Sequence, residues 1–222
     1  MENEVWTKVD EYFADMIGED QALKTAVAES ERAGLPAIAV TASQGKLLML
    51  TAQMVGARKI LEVGTLGGYS TIWLARGLAA GGKLITLEYE KKHADVAQKN
   101  IARAGLEGQV EVRVGDATKT MPELVAEGTG PFDLIFLDAN KDGYPIYYDW
   151  SLKLSRKGTV IIADNVVRDG GVADPENKDA SIKGIQRLKE IVAADRRVNA
   201  TAIQTVGSKG YDGFAMMIVE SA

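Results

Sequence analysis

Cysteine is absent from this chain of 222 residues, and histidine occurs once, as His93. Disulfides, thiol catalysis and thiolate metal sites are therefore excluded. Proline is scarce, and no Pro- or Ser-rich linker, low-complexity tract or internal repeat divides the chain, so a single domain over 1–222 is expected. No apolar run is long enough to span a bilayer, and Met1-Glu2-Asn3-Glu4 is acidic where a secretion signal would be basic. An excess of positive charge is missing as well. The net charge of −5 leaves no footprint for nucleic acid or an anionic membrane. These absences lead us to expect a cytoplasmic protein with neither kind of partner. The hydrophobic fraction of 46% is ordinary for a globular chain, and the length suffices for one α/β domain with a sizeable core.

What is present is an alternation of two periodicities. Two helices are expected before the first strand: one over residues 20–33, stopped by Gly34 and Pro36, and one capped by Thr41 or Ser43. Strands at Lys59–Val63, 83–87, Val110–Val114, 132–137 and 159–163 then alternate with helical stretches at 69–78, Lys91–Arg103, Ala117–Ala126 and 144–154. Such alternation implies a parallel sheet with right-handed crossovers. Residues 166–178 read as a Gly- and Asp-rich loop long enough to be functional. A helix over 181–194 follows. Two closing strands, near 199–206 and 214–219, are joined through Gly207, Gly210 and Gly213 as in a hairpin. The expected fold is thus α/β, with seven strands, mostly parallel, helices on both faces and an antiparallel C-terminal hairpin.

Two of the apolar strands stop abruptly at carboxylates, in Phe136-Leu137-Asp138 and in Ile162-Ala163-Asp164-Asn165. Neighbours in a parallel sheet lie about 4.8 Å apart. Asp138, Asp164 and Asn165 would then converge at the carboxyl edge, where open α/β sheets place their ligands. Three hard oxygen donors suit Mg²⁺, Mn²⁺ or Ca²⁺. The plainer alternative is that these residues only cap the elements that follow.

Upstream, Ile60-Leu61-Glu62-Val63-Gly64-Thr65-Leu66-Gly67-Gly68-Tyr69-Ser70 reads as strand, Gly-rich turn and helix start. A dinucleotide fingerprint fails here, because the third and sixth positions from Gly64 are Leu66 and Tyr69. Acids nevertheless end three successive elements. Glu62 precedes the turn, Glu88 lies 24 positions beyond Gly64 where it can accept from ribose hydroxyls, and Asp116 follows Gly115 after the third strand. A nucleoside cofactor gives all three a role, although Glu88 and Asp116 also qualify as helix N-caps.

These strings carry a family resemblance. Glu62-Val63-Gly64 with Gly68-Tyr69-Ser70, Leu137-Asp138-Ala139 with Lys141 and Tyr144, and Ala163-Asp164-Asn165-Val166 resemble class I S-adenosylmethionine (SAM)-dependent O-methyltransferases. The resemblance is to the small cation-dependent group that includes catechol and caffeoyl-CoA O-methyltransferases. It runs from about Ser43 to the C-terminus and implies a Rossmann-like core over 43–222 behind a helical segment 1–42. By resemblance, Asp138, Asp164 and Asn165 match the ligands of a divalent cation, Mg²⁺ first and Mn²⁺ or Ca²⁺ otherwise, and Lys141 matches the catalytic base. Glu62, Gly64, Gly68, Ser70, Glu88, Asp116, Ala117 and Asp138 match SAM-binding positions, with Val40 contributing from the segment before the second helix. Tyr144 and Arg168 are the expected substrate contacts, the substrate a small aromatic diol, and the assembly a homodimer.

The chain departs from the group at Gly67, where relatives often carry Thr, Ser or Cys. No acid aligns with the glutamate that catechol O-methyltransferase uses to hold the second hydroxyl. A phenol with pKa near 10 is a poor nucleophile, and chelation of adjacent oxygens would stabilise its phenolate. A buried amine near a cation gives up its proton readily, which suits Lys141 to the role of base. Two other readings remain at this level. One is a nicotinamide oxidoreductase, which leaves Asp138, Asp164 and Asn165 unexplained; the other is a non-catalytic nucleoside-binding module on the same fold. His93 is expected on the surface.

Overall fold

A computed structural model describes residues 2–221. Its centre is a seven-stranded sheet in the order β3-β2-β1-β4-β5-β7-β6. The strands are β1 (Lys59–Val63), β2 (Lys83–Glu88), β3 (Val110–Val114), β4 (Leu134–Leu137), β5 (Val160–Asp164), β6 (Val198–Gly207) and β7 (Gly210–Val219). The first five pair in parallel, and β7 runs antiparallel to both β5 and β6. Four helices precede the sheet: α1 (Glu2–Tyr12), α2 (Ala14–Ile17), α3 (Gln21–Arg32) and α4 (Ala42–Met54). Then come α5 (Tyr69–Arg76), α6 (Lys91–Arg103), α7 (Ala117–Ala126), α8 (Tyr144–Lys153) and α9 (Ala180–Ala194).

The inner parallel strands are largely apolar on both faces because helices cover both, while edge strand β3 alternates apolar residues with Glu111 and Arg113. Leu61, Val63, Ile135, Leu137 and Ile161 pack against α7, α8 and α9. Ile60, Leu84, Leu134, Phe136 and Ile162 pack against α3 to α6. The chain order reverses between β1, which continues to β2, and its other neighbour β4. A crevice opens at such a switch point, at the carboxyl ends of the strands. Gly64, with φ of 105°, makes the closure there: a Cβ on it would overlap the Asp138 carbonyl. The tips of β1 and β4 therefore touch through backbone alone, with the Asp138 N–H donating to the Val63 carbonyl at 2.8 Å.

Three expectations from the sequence need correction. Four helices rather than two precede β1, since α1 and α2 lie ahead of the expected pair. The first closing strand runs to Gly207 and the second starts at Gly210, so Ser208 and Lys209 alone make the turn. Gly213 lies inside β7, where a Cβ would overlap the Ile203 carbonyl. It marks close backbone approach, not the turn. Finally, β4 starts at Leu134, because the Phe132 N–H donates outside the sheet, to Leu154. Among the described residues, no helix is long and apolar enough to cross a membrane.

Candidate active site

A cavity of about 1100 Å³ runs along the carboxyl edge of the sheet. One end lies over β1, β2 and β3, and the other over β4, β5 and the hairpin turn. Its outer wall is the connection from α3 to α4, with Leu35, Pro36, Ile38, Val40 and Thr41 facing in. Apart from Val40, this wall was not legible in the sequence, because nothing local marks a loop as lying over a distant sheet edge.

Strand alternation decides which residues of the Gly-rich segment face the cavity. Val63, Gly64 and Ser70 line it. Glu62 does not. It points from β1 toward α5, fully buried, and accepts from the Ser70 hydroxyl at 2.6 Å and from the Thr71 hydroxyl. Burial pushes its carboxyl up to about 7 against the donors of Ser70, Thr71 and Thr86. Gly68 is likewise no lining residue; it starts α5 with φ of 83° and packs against Ala97. Both were expected to bind cofactor directly, and both instead shape the turn from beneath.

Glu88 sits over that turn as expected, but its carboxylate is already occupied. Oε2 accepts the Thr65 and Leu66 N–H groups at 3.1 and 2.8 Å, and Oε1 accepts the Glu90 N–H at 2.9 Å. A carboxylate offers about four acceptor positions, so one remains for a ligand. His93, expected on the surface, lines the cavity with Nδ1 at 3.4 Å from Glu88 Oε1. At the tip of β3, Asp116 and Ala117 line the cavity while Asp116 also caps α7. The Thr118 hydroxyl and N–H donate to Asp116 Oδ1 at 2.7 and 2.9 Å and hold its carboxyl below the usual range.

The other end is built on β4 and β5, whose register pairs Leu137 with Ala163. Asp138 and Asp164 thus leave adjacent strands at the same level. Asp138, Lys141 and Asn165 line the cavity, and Asp164 is buried at its edge. Burial is the largest cause raising both carboxyl pKa values; the Asp138 charge raises that of Asp164 further and Asp212 adds to both, while Lys141 acts in the opposite direction on each. Lys141 Nζ donates to Asp138 Oδ1 at 2.7 Å. Asp164 receives a long contact, 3.4 Å from Gln44 Nε2, and a backbone hydrogen bond from Asn165. Gln44 is oriented by a capping box in which its Oε1 accepts the Thr41 N–H at 3.1 Å, which turns its amide nitrogen inward. The sequence reading passed over Gln44; the Thr41-x-x-Gln44 spacing was the available signal. Asn165 takes a left-handed φ of 53°, which a short polar side chain tolerates.

Among the described residues no cluster of three His, Cys, Asp or Glu side chains forms a metal centre. The set here is two carboxylates and one amide. All its donors are hard oxygens, and two adjacent carboxylates, one buried and one half-buried, share a single ion-paired cation, Lys141. Such a set fits a divalent cation with oxygen preference.

Lys141 is placed by α9. A Cβ at Gly184 would overlap the Lys141 carbonyl, so this glycine lets the helix press the 3₁₀ turn Lys141–Gly143 under the site. Tyr144, expected to contact substrate, is fully buried and does not line the cavity. Its hydroxyl lies 2.8 Å from the Leu137 carbonyl and 2.7 Å from that of Asp164, tying together the tips of β4 and β5. Its ring lies under Lys141, 5.0 Å from Nζ. One turn on, Tyr147 does reach the cavity. Arg168 lines it from the loop after β5, and Lys209 from the hairpin turn.

Comparison with known proteins accords with this geometry. A family model described as O-methyltransferase matches residues 12–215. The chain belongs to the O-methyltransferase family. The match begins upstream of Ser43, where the sequence resemblance was expected to start. A catechol O-methyltransferase of Niastella koreensis is 52% identical over 221 residues, 99% of this chain and 100% of its own. An O-methyltransferase from Bacillus cereus, solved in complex with SAH, superposes with a TM-score of 0.96 at 54% identity, covering 98% of this chain and 99% of that one. TomG from Streptomyces achromogenes, involved in tomaymycin synthesis and solved in complex with SAM, gives 0.97 at 49% identity with full coverage of both chains. Family membership removes the nicotinamide oxidoreductase from consideration.

Proposed function

We propose that this chain transfers a methyl group from SAM to one hydroxyl of a catechol-type aromatic, and that a divalent cation is required. The observation that carries the reading is the convergence of half-buried Asp138 and buried Asp164 at one end of a cavity whose other end is lined by Glu88 and Asp116. Relatives named as catechol O-methyltransferases and neighbours solved with SAM or SAH support it. The cavity is large enough to take a nucleoside cofactor and an aromatic ring together.

Asp138, Asp164 and Asn165 would hold the cation, and Gly64, Ser70, Glu88, Asp116 and Ala117 the cofactor. When bound, the cation draws charge from two adjacent substrate oxygens and fixes their direction, and SAM provides an electrophilic methyl group. The remaining work falls to the chain. Glu88 keeps one acceptor position toward the ribose hydroxyls while its other contacts hold the Gly64 turn in place. Lys141 Nζ, in its neutral form and released from Asp138 when the cation binds there, would take the proton from the reacting hydroxyl, and the wall from Leu35 to Thr41 would keep water out. Positioning and electrostatics suffice for this reaction, since methyl transfer needs no covalent enzyme intermediate.

The test is methyl transfer to a catechol and to its monohydroxy analogue, each with Mg²⁺ and with excess EDTA. Catechol methylation that EDTA abolishes, with the monophenol slower by roughly two orders of magnitude or more, is expected. Equal rates on the two acceptors, or full activity in EDTA, would overturn the reading.

A further inference from the structure

The chain as a whole is acidic, with a net charge of −5, yet three cations gather where the acceptor would lie: Lys141, Arg168 and Lys209. Lys141 is committed to Asp138. The other two are not. Among the described residues, neither the Arg168 nor the Lys209 side chain makes a hydrogen bond or ion pair. A solvated surface lysine would need no explanation, but these two come from different elements and meet at one cavity.

Their backbones are fixed, and fixed to each other. Asp212 on β7 accepts through Oδ1 from the N–H groups of Val167 and Arg168, both at 3.0 Å, and of Gly213 at 2.9 Å. The Asp169 N–H donates to the Tyr211 carbonyl at 3.2 Å. Arg168 and Asp169 hold left-handed φ values of 52° and 54°, a conformation non-glycine residues adopt only when their surroundings impose it. The turn bearing Lys209 is anchored from the opposite side, where Ser208 N–H donates to Asp10 Oδ2 of α1 at 2.8 Å.

We propose that Arg168 and Lys209 form a subsite for a carboxylate carried on the aromatic diol, so that the preferred acceptor is an anionic catechol. This rests on the reading of the acceptor as a vicinal diol. Local charge favours it. With a divalent cation and a sulfonium in place, this end of the cavity holds more positive than negative charge even after one phenolate is counted. The planar guanidinium of Arg168 matches a carboxylate's two oxygens, and Lys209 adds a point charge. Lys209 also lies within electrostatic reach of both Asp138 and Asp164, whose charges act to raise its pKa while the larger effect of desolvation lowers it. The anion it meets is therefore close to the diol, on the ring or a short side chain, and not at the far end of a long carrier.

The experiment compares 3,4-dihydroxybenzoate with 3,4-dihydroxybenzamide, which share ring and diol and differ in charge. Its readout is the ratio of their kcat/KM values with SAM and Mg²⁺, so a general loss of activity in a variant cancels. Wild type should favour the acid by about tenfold or more, the scale of a charge-assisted contact. The ratio should fall toward one in Lys209→Met and in Arg168→Met, and Lys209→Glu should favour 3,4-dihydroxybenzylamine over the acid. A wild-type ratio near one, with the amide methylated, would overturn the subsite and leave the proposed function standing. A ratio unchanged by both Met variants, or a coenzyme A thioester preferred to the free acid, also overturns it. If no catechol is methylated at all, the reading beneath it fails as well.

Discussion

At the β1–β3 end of the cavity the three carboxylates at or beside the strand tips already have their donors. Glu62 holds Ser70 and Thr71, Glu88 holds the amides of Thr65, Leu66 and Glu90, and Asp116 holds Thr118. At the β4–β5 end, Asp138 has Lys141, while Asp164 has the Asn165 backbone N–H, a contact at 3.4 Å from Gln44 and a second carboxylate beside it. The first end is a finished scaffold that a ligand can join without rearranging it. The second holds buried negative charge that is costly until a counter-charge arrives. In the proposed reaction this division is useful, since binding of the nucleoside need not depend on the ion proposed to activate the acceptor.

The largest expected effect comes from breaking the under-compensated end. Asp164→Ala should lower turnover by roughly a hundredfold or more, because it removes one of the two carboxylates proposed to hold the cation and with it the charge stabilisation that cation would supply. Cofactor affinity, read by calorimetry, should change little. A parallel fall in both quantities would erase the division between the two ends. The pH dependence sharpens the same point. Asp138 and Asp164 have raised folded-state pKa values, so above the ordinary carboxylate range the folded protein binds more protons than the unfolded chain. Metal-free stability from these groups is full at low pH and is lost as pH climbs through the raised values. Mg²⁺ needs the ionised form. The gain in Tm on adding Mg²⁺ should therefore grow with pH from about 5 to about 8, and Asp164→Asn should flatten that growth. A Tm gain independent of pH would contradict it.

A smaller effect is expected at the finished end. Glu88→Ala removes the acceptor for three backbone amides as well as the position left for the ribose. SAM binding should weaken by about 1.5–3 kcal/mol, the range for a hydrogen bond to a charged group. Cation affinity in the SAM-free protein should stay within about twofold of wild type. An unchanged SAM dissociation constant would mean that Glu88 serves the turn alone.

The contrast between the ends also explains what the sequence disclosed. Strand tips were legible because a parallel strand is a short apolar run, and the first polar residue after it must stand at the sheet's edge. Asp138, Asp164 and Glu88 were placed in this way. Direction was harder. Glu62 lies one residue before Val63, and that single step turns its side chain from the cavity to the α5 face. Tyr144 and Tyr147 both begin α8, and only the packing of that helix against β4 and β5 decides which one looks into the cavity. Long-range placements were invisible for a different reason. Gln44 reaches Asp164 across 120 residues of chain, and the wall from Leu35 to Thr41 and Lys209 also come from segments remote in sequence from the strand tips they meet, an approach that no local pattern records.

Tyr144 offers the finest test, since it sits at the under-compensated end yet belongs to the scaffold. Its hydroxyl bridges the Leu137 and Asp164 carbonyls from full burial, and burial together with the nearby carboxylates holds its pKa well above the ordinary value. It therefore stays a neutral hydrogen-bond donor throughout the working range of pH. Tyr144→Phe keeps the ring beneath Lys141 and removes only the hydroxyl, leaving two buried carbonyls without that partner. The expected cost is about 1–2 kcal/mol in denaturant unfolding, with KM for a catechol within about twofold of wild type. Tyr147→Phe, whose hydroxyl lies 2.6 Å from Asn140 Oδ1 at the cavity, should show the reverse balance: a smaller loss of stability and a measurable rise in KM. If Tyr144→Phe instead raised KM severalfold without a stability cost, its hydroxyl would have to meet the acceptor directly, and the separation of scaffold from site at this end would be wrong.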